Sequence, residues 1–134
     1  MMGHGQTHLI PRGVVNANEL SALGLTTTIS SNNILNAFTP YGDASLVRTA
    51  NMCANIAQLT ADEDIQANYE MITTNAAKLL AKQARLRVGG PATFVLLEVG
   101  SAVDAIRTIA QPLLGYKNGR PTFANPKATI QPQY

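Results

Sequence analysis

The stretch "TTTISSNNILNAFTPYGD", Thr26–Asp43, decides how this chain is read. Leu25–Ser30 alternates apolar and Thr residues, the period-two pattern of a strand. It stops in Ser30-Ser31-Asn32-Asn33, and Asn33–Gly42 reads as a loop bounded by Pro40 and Gly42. Pattern alone leaves two readings of the polar quartet open. It is an Asx-type turn that satisfies loop backbone groups, or it is the working end of a strand.

Outward from this stretch the chain is mostly helical. Val14–Leu23 reads as a short amphipathic helix stopped by Gly24. On the other side, Asp43 is the expected cap of a helix running to about Leu59. Its inner face would carry Leu46, Val47, Ala50, Cys53, Ala54 and Ala57. Thr60 and Glu63 have the spacing of a capping box for one further helix, with the stripe Ile65, Tyr69, Ile72, Ala76, Leu79 and Leu80. Gly89, Gly90 and Pro91 interrupt the chain before Ala92–Val99, apolar on both faces as in a strand covered on both sides. "SAVDAIRTIAQ" reads as a short helix opened by Ser101 and Asp104. Asn118-Gly119 between two extended runs signals a hairpin, because both turn positions need positive φ. Asn125–Tyr134 reads as a frayed tail.

Composition bounds the possibilities. The chain has 134 residues, 46% hydrophobic and 13% charged, with net charge +2. That suits one globular domain or a piece of a larger one, and the charge is too small to argue for a nucleic-acid partner. Lys78, Lys82, Arg85 and Arg87 form a loose basic series, which reads as a solvated helix end. Cys53 is the sole cysteine, so no internal disulfide is possible, which fits a reducing, cytoplasmic setting. The residue lies in an apolar helical pattern and reads as a small packing hydrophobe. The first residues carry no apolar core of a signal peptide, and no apolar run approaches a membrane span. His4 and His8 are spaced i, i+4, but Gly3 and Gly5 disfavour a helix and no third ligand is nearby.

The expected order is helix, strand, long loop, helix, helix, strand, helix, hairpin. One early strand cannot form a sheet alone, so the pattern points to a fragment of an α/β protein. "GLTTTISSNNILNAFTPYGDASLVRTANMCANIAQ", "MITTNAAKLL", "RVGGPATFVLLE" and "GYKNGRPTF", in that order, resemble the C-terminal part of the amidohydrolase superfamily, in its cytosine-deaminase-like branch. The resemblance covers the chain after Arg12. It implies the C-terminal fragment of a (β/α)8 barrel (last strand and helices) plus part of a small β-sandwich domain. Residues 1–87 would be the last βα part of the barrel, 88–124 a portion of the sandwich and 125–134 a flexible tail. It also implies a metal-dependent hydrolase that deaminates a small heterocycle such as a pyrimidine, purine or pterin, with a divalent metal, Zn or Fe.

In such barrels the reacting groups sit at the C-terminal strand ends. The resemblance places Asn32 where the family's eighth strand carries an Asp that touches the metal and moves a proton. A carboxylate can accept that proton near neutral pH, whereas an amide cannot. Its oxygen can still ligate a hard metal or hydrogen-bond a water. Asn32 is therefore a weaker metal ligand in an altered site, or a sign that proton transfer has moved elsewhere. Asn33 is a second candidate polar contact to substrate. Phe38 aligns with an aromatic beside the substrate ring and would stack on a planar heterocycle, or plug the helix below. Thr93 departs from the family's Asp in the Pro-Ala-Asp pattern, as a surface change.

The family's His-x-His ligand pair is absent from this sequence, and a barrel needs all its strands to close. The short chain is expected to be inactive alone, not to retain the metal, and to associate with the missing N-terminal barrel portion or with itself. No nucleic acid or membrane is expected as partner. The competing expectations are a non-catalytic split subunit and a truncated remnant.

Overall fold

The computed structural model describes residues 13–126. Five helices and three strands follow the expected order, save the first strand. They are α1 (Ala17–Ala22), α2 (Leu46–Ile56), α3 (Asp62–Ile72), α4 (Thr74–Leu79), β1 (Phe94–Leu97), α5 (Ala102–Arg107), β2 (Pro112–Lys117) and β3 (Arg120–Ala124). The helical part buries Ile29, Ala50, Ala54, Ile65, Met71 and Ile106 in one cluster. Ala50 and Ala54 on α2 are small enough to let α3 approach closely, and interior packing density rewards that fit. α5 lies between β1 and β2 in sequence, yet its Ile106 is part of the helical core.

Asparagine amides join these elements. Asn18 donates to the Asp64 carbonyl at 3.0 Å, tying α1 to α3. Asn51 donates to the Ile106 carbonyl at 2.9 Å, tying α2 to α5. Asn68, only 1% exposed, donates from α3 to the Ala50 carbonyl at 3.4 Å. Its Oδ1 is buried with no partner among the described residues. At the surface Arg107 donates to Asp62 at 2.6 Å, an exposed pair of small worth.

Several helix ends differ from the expectation. Ser45, not Asp43, caps α2, accepting from the Arg48 N–H at 3.2 Å. Asp43 instead accepts from the Ser45 N–H and pairs with Arg48. α2 ends at Ile56, before the expected Leu59. The capping box at Thr60 does not form: Ala61 is the N-cap and makes no side-chain bond. Asp62, Glu63 and Asp64 fill the first turn of α3, where acidic groups suit the helix dipole. The single helix expected to reach Leu80 is broken at Thr73, whose φ of −125° and ψ of −90° are not helical. Thr73 Oγ1 donates back to the Tyr69 carbonyl at 2.7 Å, a local bond that competes with the helix ladder. The break turns Leu79 and Leu80 outward, exposed where the stripe expected burial, and Met71 takes the core position.

Helices α1, α2, α4 and α5 close alike. The N–H two residues past each cap returns to a carbonyl of the last turn: Leu25 to Leu20, Leu59 to Ala54, Lys82 to Ala77, Ala110 to Ala105. The closure needs a left-handed residue in between. Gly24 serves α1, but Gln58, Ala81 and Ile109 serve the others at φ of 54°, 50° and 52°. A side chain there is strained by roughly 1–2 kcal/mol.

The largest correction concerns Leu25–Ser30. It is extended but pairs with no strand among the described residues, so it is not a strand here. A ladder needs a neighbouring strand, and β1, β2 and β3 pair only with each other. They form an antiparallel sheet in the order β1-β2-β3. β1 spans only Phe94–Leu97 of the expected Ala92–Val99, and it is not covered on both faces: Val95 and Leu96 are exposed. The hairpin forms as read, with Asn118 and Gly119 both at positive φ and Lys117 opposite Arg120. Thr93 is more than a surface change. It accepts from the Asn118 N–H at 3.0 Å and donates to the Asn118 Oδ1 at 3.2 Å, clamping the turn. An ionised Asp has no proton for the second bond. Phe94 stacks on Tyr116 with ring centroids 5.2 Å apart. Among the described residues no helix is long and apolar enough to cross a membrane.

Candidate functional site

The candidate site lies where Leu25–Ser30 runs into the Ser31–Gly42 loop. Asn32 adopts φ 59°, a left-handed conformation that Asn tolerates better than most residues. The Asn33 N–H then closes a tight turn on the Ser31 carbonyl at 2.7 Å. The quartet therefore forms a backbone turn and not the expected Asx-type turn, since the side-chain bond of Asn33 is to the Asn36 side chain. Asn32 is exposed, and its side chain makes no hydrogen bond among those of the described residues. Asn33 is half-buried, and its Oδ1 accepts from Asn36 Nδ2 at 2.9 Å.

Asn36 organises the loop, which the sequence reading missed. Its Oδ1 accepts from the N–H groups of Phe38 and Thr39 at 2.9 and 3.0 Å, an Asx turn. Its own N–H donates to the Thr39 carbonyl at 3.0 Å. The Leu35 N–H reaches the Tyr41 carbonyl at 3.2 Å, closing the wider turn. One amide thus connects Asn33 to the backbone of Phe38. The signal was present as Asn36 two residues before Phe38, the usual Asx spacing. Phe38 is 68% exposed, so it does not plug the helix below. Leu35 and Tyr41 are exposed beside it in sequence.

The electrostatics near the loop are simple. The Ser45 N–H holds the Asp43 carboxyl below its ordinary value, with Arg48 at 2.9 Å adding to the effect. Burial raises the Cys53 thiol above its ordinary value, which favours the thiol over the more nucleophilic thiolate.

A cleft of about 430 Å³ lies under the extended segment, with Val14, Val15, Thr28, Ser30, Cys53 and Asn68 in its walls. A larger one, about 710 Å³, separates the helices from the sheet and is lined by Val47, Tyr69, Ile72, Phe94, Leu97 and Phe123 among others. Asn32, Asn33 and Phe38 line neither. The candidate residues therefore share a loop but line neither of these two clefts.

The divalent metal implied by the resemblance does not fit the residues described. Among them no three His, Cys, Asp or Glu side chains gather. The Asn33 oxygen is engaged, and one neutral amide at Asn32 falls short of the three or four ligands a zinc takes. His4 and His8 lie outside the described residues.

No protein-family model matches the chain. A pterin deaminase of Rhizobium rhizogenes is 34% identical over 87 residues, which cover 63% of this chain and 20% of that protein. The 5-methylcytosine deaminase of Klebsiella pneumoniae superposes with a TM-score of 0.84 at 22% identity, over 98% of this chain and 33% of the other. The N-isopropylammelide isopropylaminohydrolase of Burkholderia multivorans superposes with a TM-score of 0.72 at 22% identity, over 84% of this chain and 29% of the other. The chain thus spans a fifth to a third of the length of these proteins. The resemblance of the sequence to deaminase-like members of the amidohydrolase superfamily is borne out, and the match is to a fragment of the length of these proteins.

Proposed function

We propose that this chain is the C-terminal segment of a metal-dependent amidohydrolase that deaminates a small heterocycle, a pyrimidine, purine or pterin, in the cytoplasm. Residues 1–87 supply the last strand and helices of a (β/α)8 barrel, and 88–124 supply part of its β-sandwich domain. The observation that carries this reading is the overlay of 98% of the chain on a third of a 5-methylcytosine deaminase, joined to 34% identity with a pterin deaminase. Leu25–Ser30 becomes the eighth strand when neighbours pair with it.

Hydrolytic deamination adds water across a ring C=N bond, and the exocyclic C–N bond then breaks to expel ammonia. One proton must pass from the attacking water to the leaving amine. Asn32 cannot carry it, because an amide is neither acid nor base near neutral pH. Its role is to hydrogen-bond water or substrate at the strand end, beside Asn33. The proton carrier and the ligands of a Zn or Fe ion are residues other than those described. Phe38, exposed on the loop, faces the flat ring of the substrate in this reading. The 134-residue chain alone is inactive.

The test joins the segment to the coding sequence upstream of it and assays ammonia release with Zn or Fe present. Release from at least one pyrimidine, purine or pterin is expected. No release from any of them, with metal bound, contradicts the reading. A second reading, a non-catalytic partner that completes another chain, is favoured by the amide at Asn32. Size-exclusion and pull-down from source lysate would then recover a complex, and a lone monomer would end that idea.

A further inference from the structure

We propose that the helix break at Thr73 is an anchoring device, and that Asn75 is the positioning residue that sets the Asn32 end of the extended segment. A continuous helix would use the Met71 carbonyl within its own ladder, accepting from the residue four positions on. The break releases that carbonyl, and it accepts instead from the Ile29 N–H at 3.4 Å. Past the break, Asn75 Nδ2 donates to the Thr27 carbonyl at 3.1 Å. One turn on, Lys78 Nζ donates to Thr26 Oγ1 at 3.1 Å. Ser21 and Thr27 hydroxyls meet from the α1 side at 2.7 Å. Residues 26, 27 and 29 are thus gripped by helix groups although no strand pairs with them.

The spacing makes this a positioning device. Asn75 and Lys78 are three apart on α4, so they fall on one face. They meet Thr27 and Thr26, which run in the opposite sense. In a helix unbroken at Thr73 the Met71 carbonyl would also accept within the ladder, and the Ile29 N–H would compete for it. Asn32 lies three residues beyond the last grip, too short a lead for the segment to slide without moving it. This inference rests on the reading of Asn32 as a site residue, but the anchor itself can be measured without any deaminase assay.

The experiment is NMR of the 134-residue chain and its variants, following backbone amide exchange together with the side-chain amide resonances of Asn32 and Asn33. Asn75→Ala should raise exchange at Ile29 about tenfold, as expected for one lost partly buried hydrogen bond. It should also shift the Asn32 and Asn33 resonances, with Ala50 and Ala54 exchange unchanged. A merely structural role would raise exchange at Ile29, Ala50 and Ala54 together and would overturn the proposal. So would Asn32 and Asn33 resonances that do not move. Lys78→Met removes an exposed contact and threatens no core packing. It should shift the same Asn32 and Asn33 resonances to a smaller extent, and no shift there overturns the proposal even where Asn75→Ala fails to fold. Ammonia release by the joined protein is a separate readout, so failure of the anchor and failure of the deaminase reading are distinguishable.

Discussion

The core of α2, α3 and α5 and the segment Leu25–Asp43 are built on opposite plans. In the core, helices satisfy their own backbone, small Ala residues let them close up, and Asn18, Asn51 and Asn68 stitch one element to the next. In the segment, the backbone is extended without a ladder, and helix side chains supply the bonds a neighbouring strand would give. Its loop is folded by one residue, Asn36, and presents Leu35, Phe38 and Tyr41 to solvent. Hydrophobic burial holds the first region together, and polar contacts hold most of the second, with Ile29 reaching into the core. The lesson is that the part of the chain carrying the candidate chemistry is the part least able to complete itself.

Mutations should break this contrast in a definite order. Ile106→Ala removes a side chain only 1% exposed and should cost about 2–5 kcal/mol in urea unfolding, since the core cannot fully collapse on the cavity. Phe38→Ala, on the loop, should change the same measurement by no more than about 0.5 kcal/mol. If Phe38 mattered as much to stability as Ile106, the two regions would not differ as described.

Smaller effects sharpen the contrast. Ala81→Gly relieves the left-handed strain at the end of α4, where Ala81 is exposed. It should stabilise the chain by about 0.5–1 kcal/mol in thermal unfolding, the relief exceeding the extra chain entropy of glycine. The Cys53 thiol should react with iodoacetamide at pH 7.5 roughly tenfold slower than in the urea-unfolded chain, because burial raises its pKa and keeps it a thiol.

The smallest expected effect is at Asp43. Its folded pKa lies below the ordinary 3.8, held there by the Ser45 N–H and Arg48. The contribution is therefore present above the unfolded value and lost as pH falls through the folded one. An NMR titration should show the Asp43 carboxyl protonating below pH 3.8, with the Ser45 amide shifting in step. Asp43→Asn should abolish that shift.

What was legible in the sequence followed from local rules. Gly24, Ser101 with Asp104, and Asn118-Gly119 each fix a backbone conformation through their own chemistry, and each did so where expected. The misses came from competition. Asp43 could cap α2, but Ser45 lies closer to the first turn and Asp43 found Arg48. The stripe through Leu80 had helical spacing, yet spacing does not register a Thr73 hydroxyl turning back on Tyr69. Leu25–Ser30 has the composition of a strand, but strand formation depends on a neighbour, which a segment's own residues cannot supply. Asn32 and Asn33 were singled out by position, while Asn36, which bonds Asn33, and Asn75, which bonds the Thr27 carbonyl, lie in stretches whose spacing was visible but whose partners were not.

The central claim is that Leu25–Asn33 belongs to a structure larger than this chain while the helical core does not. Amide hydrogen exchange, measured on the chain alone and on the protein joined to its upstream sequence, tests this most directly. The amides of Leu25–Asn33, save those of Leu25, Ile29 and Asn33, which already donate to carbonyls of this chain, should exchange rapidly in the chain and become protected in the joined protein, with Ala50, Met71 and Ile106 protected in both. Equal exchange of Leu25–Asn33 in the two proteins would contradict the claim.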